Sequence, residues 1–323
     1  MTQLEIKTRL TELLGIKYPI VQGGMAYLSR AEFVAAISNA GALGIIAAAT
    51  FPTAEELRGE IRKTKALTDN PFGVNIALLP SIRPLDIDGF FKVVCDEKVA
   101  VLETAGRSPA DYIPRLKEAG VKVMHKIGSA RHAASAERSG VDAVIALGWE
   151  GAGHPLMEDV TGLVLIPRVA ETVKVPVIAG GGFADGRGLM AALSLGASGI
   201  LMGTRFMLTK ECPASAEFKQ ALMQKGEADT FMIQRSIENQ TRALKNELSL
   251  KVAEMEARGA TLEELIPFIS GDRGRKVYAG DLSAGILTVG QGIGLIKDIP
   301  TVKELVEGIV RQALEVRKNL PGG

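Results

Sequence analysis

Two short turns concentrate the chemistry of this chain. An apolar run at 176–179 stops on Gly180, Gly181 and Gly182, and a second run, 199–202, ends with Met202 and stops on Gly203 and Thr204. Between them Asp185 opens an apolar-periodic helix that ends near Gly196. Glycines at such ends let backbone N–H groups approach an anion closely, because no Cβ stands in the way. One reading is that they only make tight turns. The other is a phosphate cradle built from two adjacent turns at consecutive strand ends, and the pairing favours it.

Further polar residues stand at the ends of other apolar runs. They are Gln22 with Gly24 and Met25, then Asn75, Glu103 and Thr104, His125 and Lys126, and His154. No His and carboxylate cluster has metal spacing, so no metal is expected. No Ser–His–Asp or G-x-S-x-G pattern is present. Amides, a cation, a histidine and a phosphate cradle suit a flat, phosphorylated cofactor with hydrogen-bonding edges, and FMN meets that description. Its phosphate would sit on Gly181, Gly182, Gly203 and Thr204, and its ring would be read by Asn75 and Gln22. Lys126 would place a positive charge near the N1–C2=O edge, which stabilises an anionic reduced flavin. The simpler reading of Lys126 is a strand-end lysine reaching solvent. Asn75 interrupts an apolar strand, where a buried amide needs partners. His154 is either a base or donor at the substrate face, or a structural residue in a G-H-P turn.

The elements that must position these residues alternate. Apolar runs at 19–21, 43–48, 72–78, 99–102, 121–125, 143–146, 176–179 and 199–202 read as strands. Helices fall between them, with caps expected at Ser29, Ser129 and Thr53, the last in a T-A-E-E capping box, and a Ser108-Pro109 start. The strands are continuous apolar runs, as buried parallel strands are. Eight strand–helix units close most simply into an α/β fold, the TIM (β/α)8 barrel. A doubly wound open sheet ranks second, since no dinucleotide glycine pattern follows the first strand. The barrel is expected over 1–210. A helical lid or substrate subdomain follows over 211–270, including one helix at 239–258 with Leu244, Leu248, Val252 and Met255 at helical spacing. Residues 271–323 return to the barrel and close it with a helix at 301–318.

The chain has 323 residues, and 46% are hydrophobic, enough for a large core. A net charge of +1 and 5% aromatic residues give no case for a nucleic-acid partner. Two distant cysteines, Cys95 and Cys212, make neither a disulfide framework nor a zinc site, which fits a reducing cytoplasm. No apolar run approaches ~18–20 residues, so no membrane insertion is expected.

The motifs PIVQGGM, GVNIALLPS, ETAGRSP, HKIGSARHA, AGHPLMEDVTGLVLIP, GGFADGRGL, MGTRF and VGQGIGLI together span almost the whole chain. It resembles the FMN-dependent nitronate monooxygenase (2-nitropropane dioxygenase) superfamily, which includes flavin-dependent enoyl-acyl carrier protein reductases. Within it the chain looks most like the bacterial NADH:quinone reductases. The resemblance implies FMN contacts at Gln22, Gly24, Met25, Asn75, Lys126, Ala152, Gly153, Gly181, Gly182, Gly203 and Thr204. It implies NADH or NADPH as co-substrate, a small-molecule electron acceptor, and a proline-bearing loop at 78–88 bordering the nicotinamide site. His154 matches the base of the monooxygenases. Those enzymes carry a glutamine and G-G-H here, whereas this chain has Leu147 and A-G-H-P. The resemblance therefore implies hydride traffic from NAD(P)H to a quinone-like acceptor, with nitronate oxidation and enoyl-thioester reduction as alternatives. The polar segment after the barrel could serve a homodimer.

Overall fold

The computed structural model describes residues 4–79, 85–155, 157–270 and 273–320. Residues 80–84 of the proline-bearing loop lie outside the described residues. Eight strands come in order: β1 (Ile20–Gln22), β2 (Gly44–Ala47), β3 (Phe72–Leu78), β4 (Val101–Gly106), β5 (Lys122–Ile127), β6 (Ala143–Leu147), β7 (Val177–Gly180) and β8 (Gly199–Met202). Neighbours pair in parallel from β2 through to β8, and β8 pairs with β1. A bridge between Val21 and Leu43 joins β1 to β2. Gln22 donates its N–H to the Leu43 carbonyl at 2.9 Å, and Leu43 donates to Ile20 at 3.0 Å. The sheet is thereby closed into the expected (β/α)8 barrel, not left open.

Side-chain parity along each strand sorts the core in two. Val21, Leu43, Ile45, Val101, Met124, Ala143, Ile145, Ile178 and Leu201 fill the lumen, which Leu10 and Leu14 of the helix Arg9–Leu14 join from below. The alternate positions, among them Ile20, Ile46, Val74, Leu102, Val123, Val144, Ala179 and Ile200, pack outward against the helices.

Thr53, Ser129 and Asp185 each accept the backbone N–H three residues on and cap their helices as expected. Ser29 does not. Arg30 holds the N-cap position, while the buried Ser29 hydroxyl accepts from the Met25 N–H and the Gln22 amide, both at 2.8 Å. The segment after Pro109 starts as a 3-10 turn, Ala110–Tyr112, before the helix Ile113–Glu118. Pro114 has no N–H to return to residue 110, so an α-helical ladder cannot start earlier.

Residues 211–270 are not wholly helical. Strands β9 (Thr230–Ile233) and β10 (Thr241–Leu244) form an antiparallel hairpin between the helices Ala216–Met223 and Glu247–Ala257. The single helix expected over 239–258 is therefore broken. Leu244 belongs to β10 and donates its N–H to Leu287 at 2.7 Å. Asn246 then caps the helix reciprocally with Ser249. Asparagine at that place stops a helix from extending backwards, because its side chain takes the orphan N–H of the first turn. Ile233, Ala243, Val252 and Leu265 form a separate small core there. No helix among the described residues is long and apolar enough to cross a membrane.

The closing helix, Val302–Asn319, packs on the helix Gly186–Ser194. Gly186 donates to the Gln312 side chain at 2.8 Å, and a Cβ at Gly186 would lie 2.5 Å from the Ile309 carbonyl oxygen. Gly308, in the same closing helix, has open space around its missing Cβ. We expect Gly186→Ala to cost about 1–3 kcal/mol through overpacking and Gly308→Ala to stabilise by about 0.5–1 kcal/mol. Urea midpoints of the two variants should move in opposite directions; equal shifts would mean that the helix contact is looser than described.

Candidate active site

Parity also decides which polar residues reach the barrel mouth. Continuing the lumen rows of Val101, Met124 and Ile145 by two residues gives Glu103, Lys126 and Leu147, with Asn75 beside Glu103 in register. Gln22, Thr104 and His125 have the opposite parity. Gln22 is fully buried, and its amide donates to Ser29 and to the Gly23 carbonyl while accepting the Ile45 N–H at 3.0 Å. Gln22 is thus a fastener between β1 and β2, and its expected role in reading a ring is corrected. Thr104 and His125 bond each other at 2.8 Å outside the lumen. Burial, with a smaller contribution from His132, pushes the His125 pKa down to about 4.

The mouth holds a cavity of about 270 Å³. Gly24, Met25, Lys126, Ala152, Gly153, His154, Gly181, Gly182, Met202, Gly203 and Thr204 line it, as expected from sequence. Gly180 sits in β7 behind the wall. Asn75 stands beside the wall, where a Cβ on Gly24 would come within 2.7 Å of it.

The glycines have two jobs here. Gly181 and Gly182 adopt φ of 94° and 79°, which only glycine takes without strain. A Cβ on Gly181 would also lie 3.0 Å from Gly148 O, one on Gly290 3.0 Å from Glu150 O, and one on Gly292 3.0 Å from Gly182 O. Three glycine-bearing segments, at 148–153, 180–182 and 290–292, therefore pack backbone on backbone. The glycines make tight turns, and the same packing leaves a wall that is largely glycine backbone. Thr204 adds a hydroxyl that accepts from the Gly290 N–H at 3.1 Å, which leaves its own proton for a ligand.

On the floor, the Lys126 ammonium pairs with the Glu103 carboxylate, which is completely buried. Lys126 is therefore not a strand-end lysine reaching solvent. The Asn75 amide has no hydrogen-bond partner among the described residues. His154 keeps surface open to the cavity. The protein packed around it, and to a smaller degree the Lys126 charge, lower its pKa from the ordinary imidazole value, so it is neutral at pH 7. Among the described residues no group of three or more His, Cys, Asp or Glu side chains could hold a metal ion.

Sequence reasoning gave no role to two residues of this site. Glu103 could have been found by counting in twos along its own strand, from the lumen residue Val101. Arg242 carried no signal, since it lies in a segment expected to be helical. It is 2% exposed and donates from Nε and Nη2 to the Trp149 carbonyl at 3.0 and 2.8 Å and from Nη1 to Thr230 at 3.1 Å. Its backbone N–H reaches Gly153 O at 2.7 Å. The hairpin thus clamps the loop that presents His154. Tyr278 and Thr288 of the return segment also line the cavity.

A family model described as nitronate monooxygenase matches residues 7–88 and 86–312. The chain is 37% identical to a Rhodococcus jostii protein named (3aS,4S,5R,7aS)-5-hydroxy-7a-methyl-1-oxo-octahydro-1H-indene-4-carboxyl-CoA dehydrogenase, over 96% of each chain. It is 31% identical to a probable nitronate monooxygenase of Staphylococcus saprophyticus, over 97% of this chain and 99% of that one. The structure of FabK from Thermotoga maritima superposes with a TM-score of 0.91 at 38% identity, covering 98% of both chains.

Two outcomes follow from the site. Arg242→Lys keeps a charge but loses the guanidinium fork, so amide hydrogen exchange at 148–154 should accelerate at least tenfold; unchanged protection would mean that other contacts hold the loop. His125 is neutral in the fold at pH values where the unfolded chain already binds its proton. Its contribution to stability is full above pH 6.5 and is lost as pH falls towards about 4. That contribution is roughly 3 kcal/mol, and His125→Asn should flatten the urea midpoint across that window.

Proposed function

The chain belongs to the nitronate monooxygenase family, whose members are oxidoreductases, and from that premise we propose an FMN-dependent enzyme that reduces a quinone-like acceptor with NAD(P)H. The observation that carries the reading is the donor set of the mouth. A largely glycine wall, the Thr204 hydroxyl, the Asn75 amide, which has no partner among the described residues, and a lysine on the floor fit a flat ring with a phosphate tail. Gly181, Gly182, Gly203 and Thr204 would hold the phosphate, and Gly24, Met25, Asn75 and Lys126 the ring. FMN bound there would supply two-electron hydride chemistry.

The chain's own groups do the rest. Lys126 keeps a cation at the floor, and Glu103 orients it. Removing either partner of this pair would leave the other without its contact at the floor, so each fixes the other's place. His154 enters neutral and can accept a proton from, or hydrogen-bond to, whatever lies in the mouth. Leu147 and Met202 supply apolar lining that keeps water from the reacting groups. NAD(P)H and acceptor would use this one mouth in turn.

Two observations favour second readings. The neutral state of His154 suits a base that takes a proton from a nitroalkane, as a nitronate monooxygenase requires. The 37% identity with a protein named as a carboxyl-CoA dehydrogenase favours an acyl-thioester substrate, related to the enoyl-thioester alternative.

The purified protein should show a flavin band near ~450 nm. Anaerobic NADH or NADPH should bleach it within mixing, and a benzoquinone should restore it. A band that NAD(P)H leaves untouched sinks the reductase reading and promotes nitronate oxidation. Lys126→Ala should lose flavin or slow its reduction at least tenfold. His154→Asn should abolish nitronate turnover while sparing NAD(P)H oxidation; loss of both would make His154 common to every substrate.

A further inference from the structure

Beside the main cavity, at the same end of the barrel, lies a second one of about 390 Å³. Its walls come from the turn after β1 (Tyr27, Leu28 and Arg30), from Thr50 after β2, and from Arg275 and Tyr278 of the return segment. Tyr278 lines both cavities, so the two adjoin at this residue. Apart from Tyr278, the main cavity uses no side chain of this annex.

The two arginines of the annex differ. Arg30 is held by Glu60 through two bonds, Nε–Oε1 at 3.2 Å and Nη2–Oε2 at 3.1 Å, so its fork is occupied. Arg275 is exposed and pairs with no carboxylate among the described residues. Its guanidinium carbon stands over the Tyr27 ring, 4.9 Å from the centroid. Tyr27 itself has φ of 67°, a left-handed conformation uncommon for a tyrosine, and its N–H is fixed on Thr50 Oγ1 at 2.9 Å. Strained backbone of this sort persists where the surroundings over-determine it, and it clusters at ligand clamps.

A guanidinium standing over an aromatic ring, with its donors uncommitted among the described residues, is suited to a phosphate and to a planar base. The reading of the preceding subsection, on which this step rests, brings molecules of that kind. NAD(P)H and a coenzyme A thioester both carry an adenosine diphosphate unit at the end remote from the reacting group. We infer that Arg275, on its Tyr27 platform, binds the adenosine diphosphate arm of a long co-substrate whose reactive end passes Tyr278 into the main cavity.

The test uses the full-length holoenzyme and ADP itself as probe, titrated calorimetrically. ADP should bind, and Arg275→Ala should weaken it at least tenfold. Arg275→Lys should recover part of the loss, and Lys276→Ala, a charge removed next door, should change little. In steady state Arg275→Ala should raise KM at least tenfold for the ADP-bearing substrate with kcat held. A reduced nicotinamide mononucleotide or an N-acetylcysteamine thioester, which lack the arm, should be unaffected. ADP competing with NAD(P)H assigns the annex to the dinucleotide; competing with an acyl-CoA assigns it to the thioester. Flavin content reports folding of each variant, and Tyr27→Leu serves if Arg275→Ala misfolds. Absence of ADP binding to flavin-loaded protein, or equal binding by Arg275→Ala, overturns the inference. The titration needs no turnover, so failure of NAD(P)H to reduce the protein would sink the functional reading without deciding this one.

Discussion

Everything at the mouth depends on how the barrel closes. β1 is only three residues long, so its pairing with β2 rests on one bridge and on the Gln22 amide, which accepts from Ile45 and donates to Ser29. A buried amide with every partner inside the fold is costly to disturb, since each group left behind would be desolvated and unpaired. The closure fixes parity all round the ring. From that parity follows which of two adjacent polar residues, Glu103 or Thr104, His125 or Lys126, stands inside.

The same point explains what could be read from sequence. Strand order, barrel class, the glycine turns and most lining residues were legible, because continuous apolar runs and glycine stops are local signals. Whether Gln22 faces the lumen or the helices is not legible at the strand end itself, because it depends on alternation along a strand only three residues long. The 239–258 segment was misread because Leu244, Leu248, Val252 and Met255 keep helical spacing across a true strand–helix junction. Only Asn246 marked the break. Arg242 was invisible, since the carbonyl its guanidinium fork grips, that of Trp149, lies 93 positions away, and no local pattern encodes such a contact.

The floor of the cavity joins two opposite charges where water does not reach the carboxylate. Such a pair contributes little net stability, because desolvation offsets attraction. Its worth lies in direction. An ammonium tied to the buried Glu103 carboxylate is held at the cavity floor and not left to swing out to solvent as an ordinary surface lysine does. His154 lines the same cavity, on a loop held by a clamp that belongs to a different part of the chain.

The cavity wall is made of backbone from three stretches of sequence, and the last of them, 290–292, comes near the end of the chain. All eight strands are complete by Met202. During synthesis the barrel can therefore close long before its mouth is walled, while more than eighty residues are still to be made. A cavity whose wall includes residues 290–292 is complete only once that late segment has folded onto the barrel.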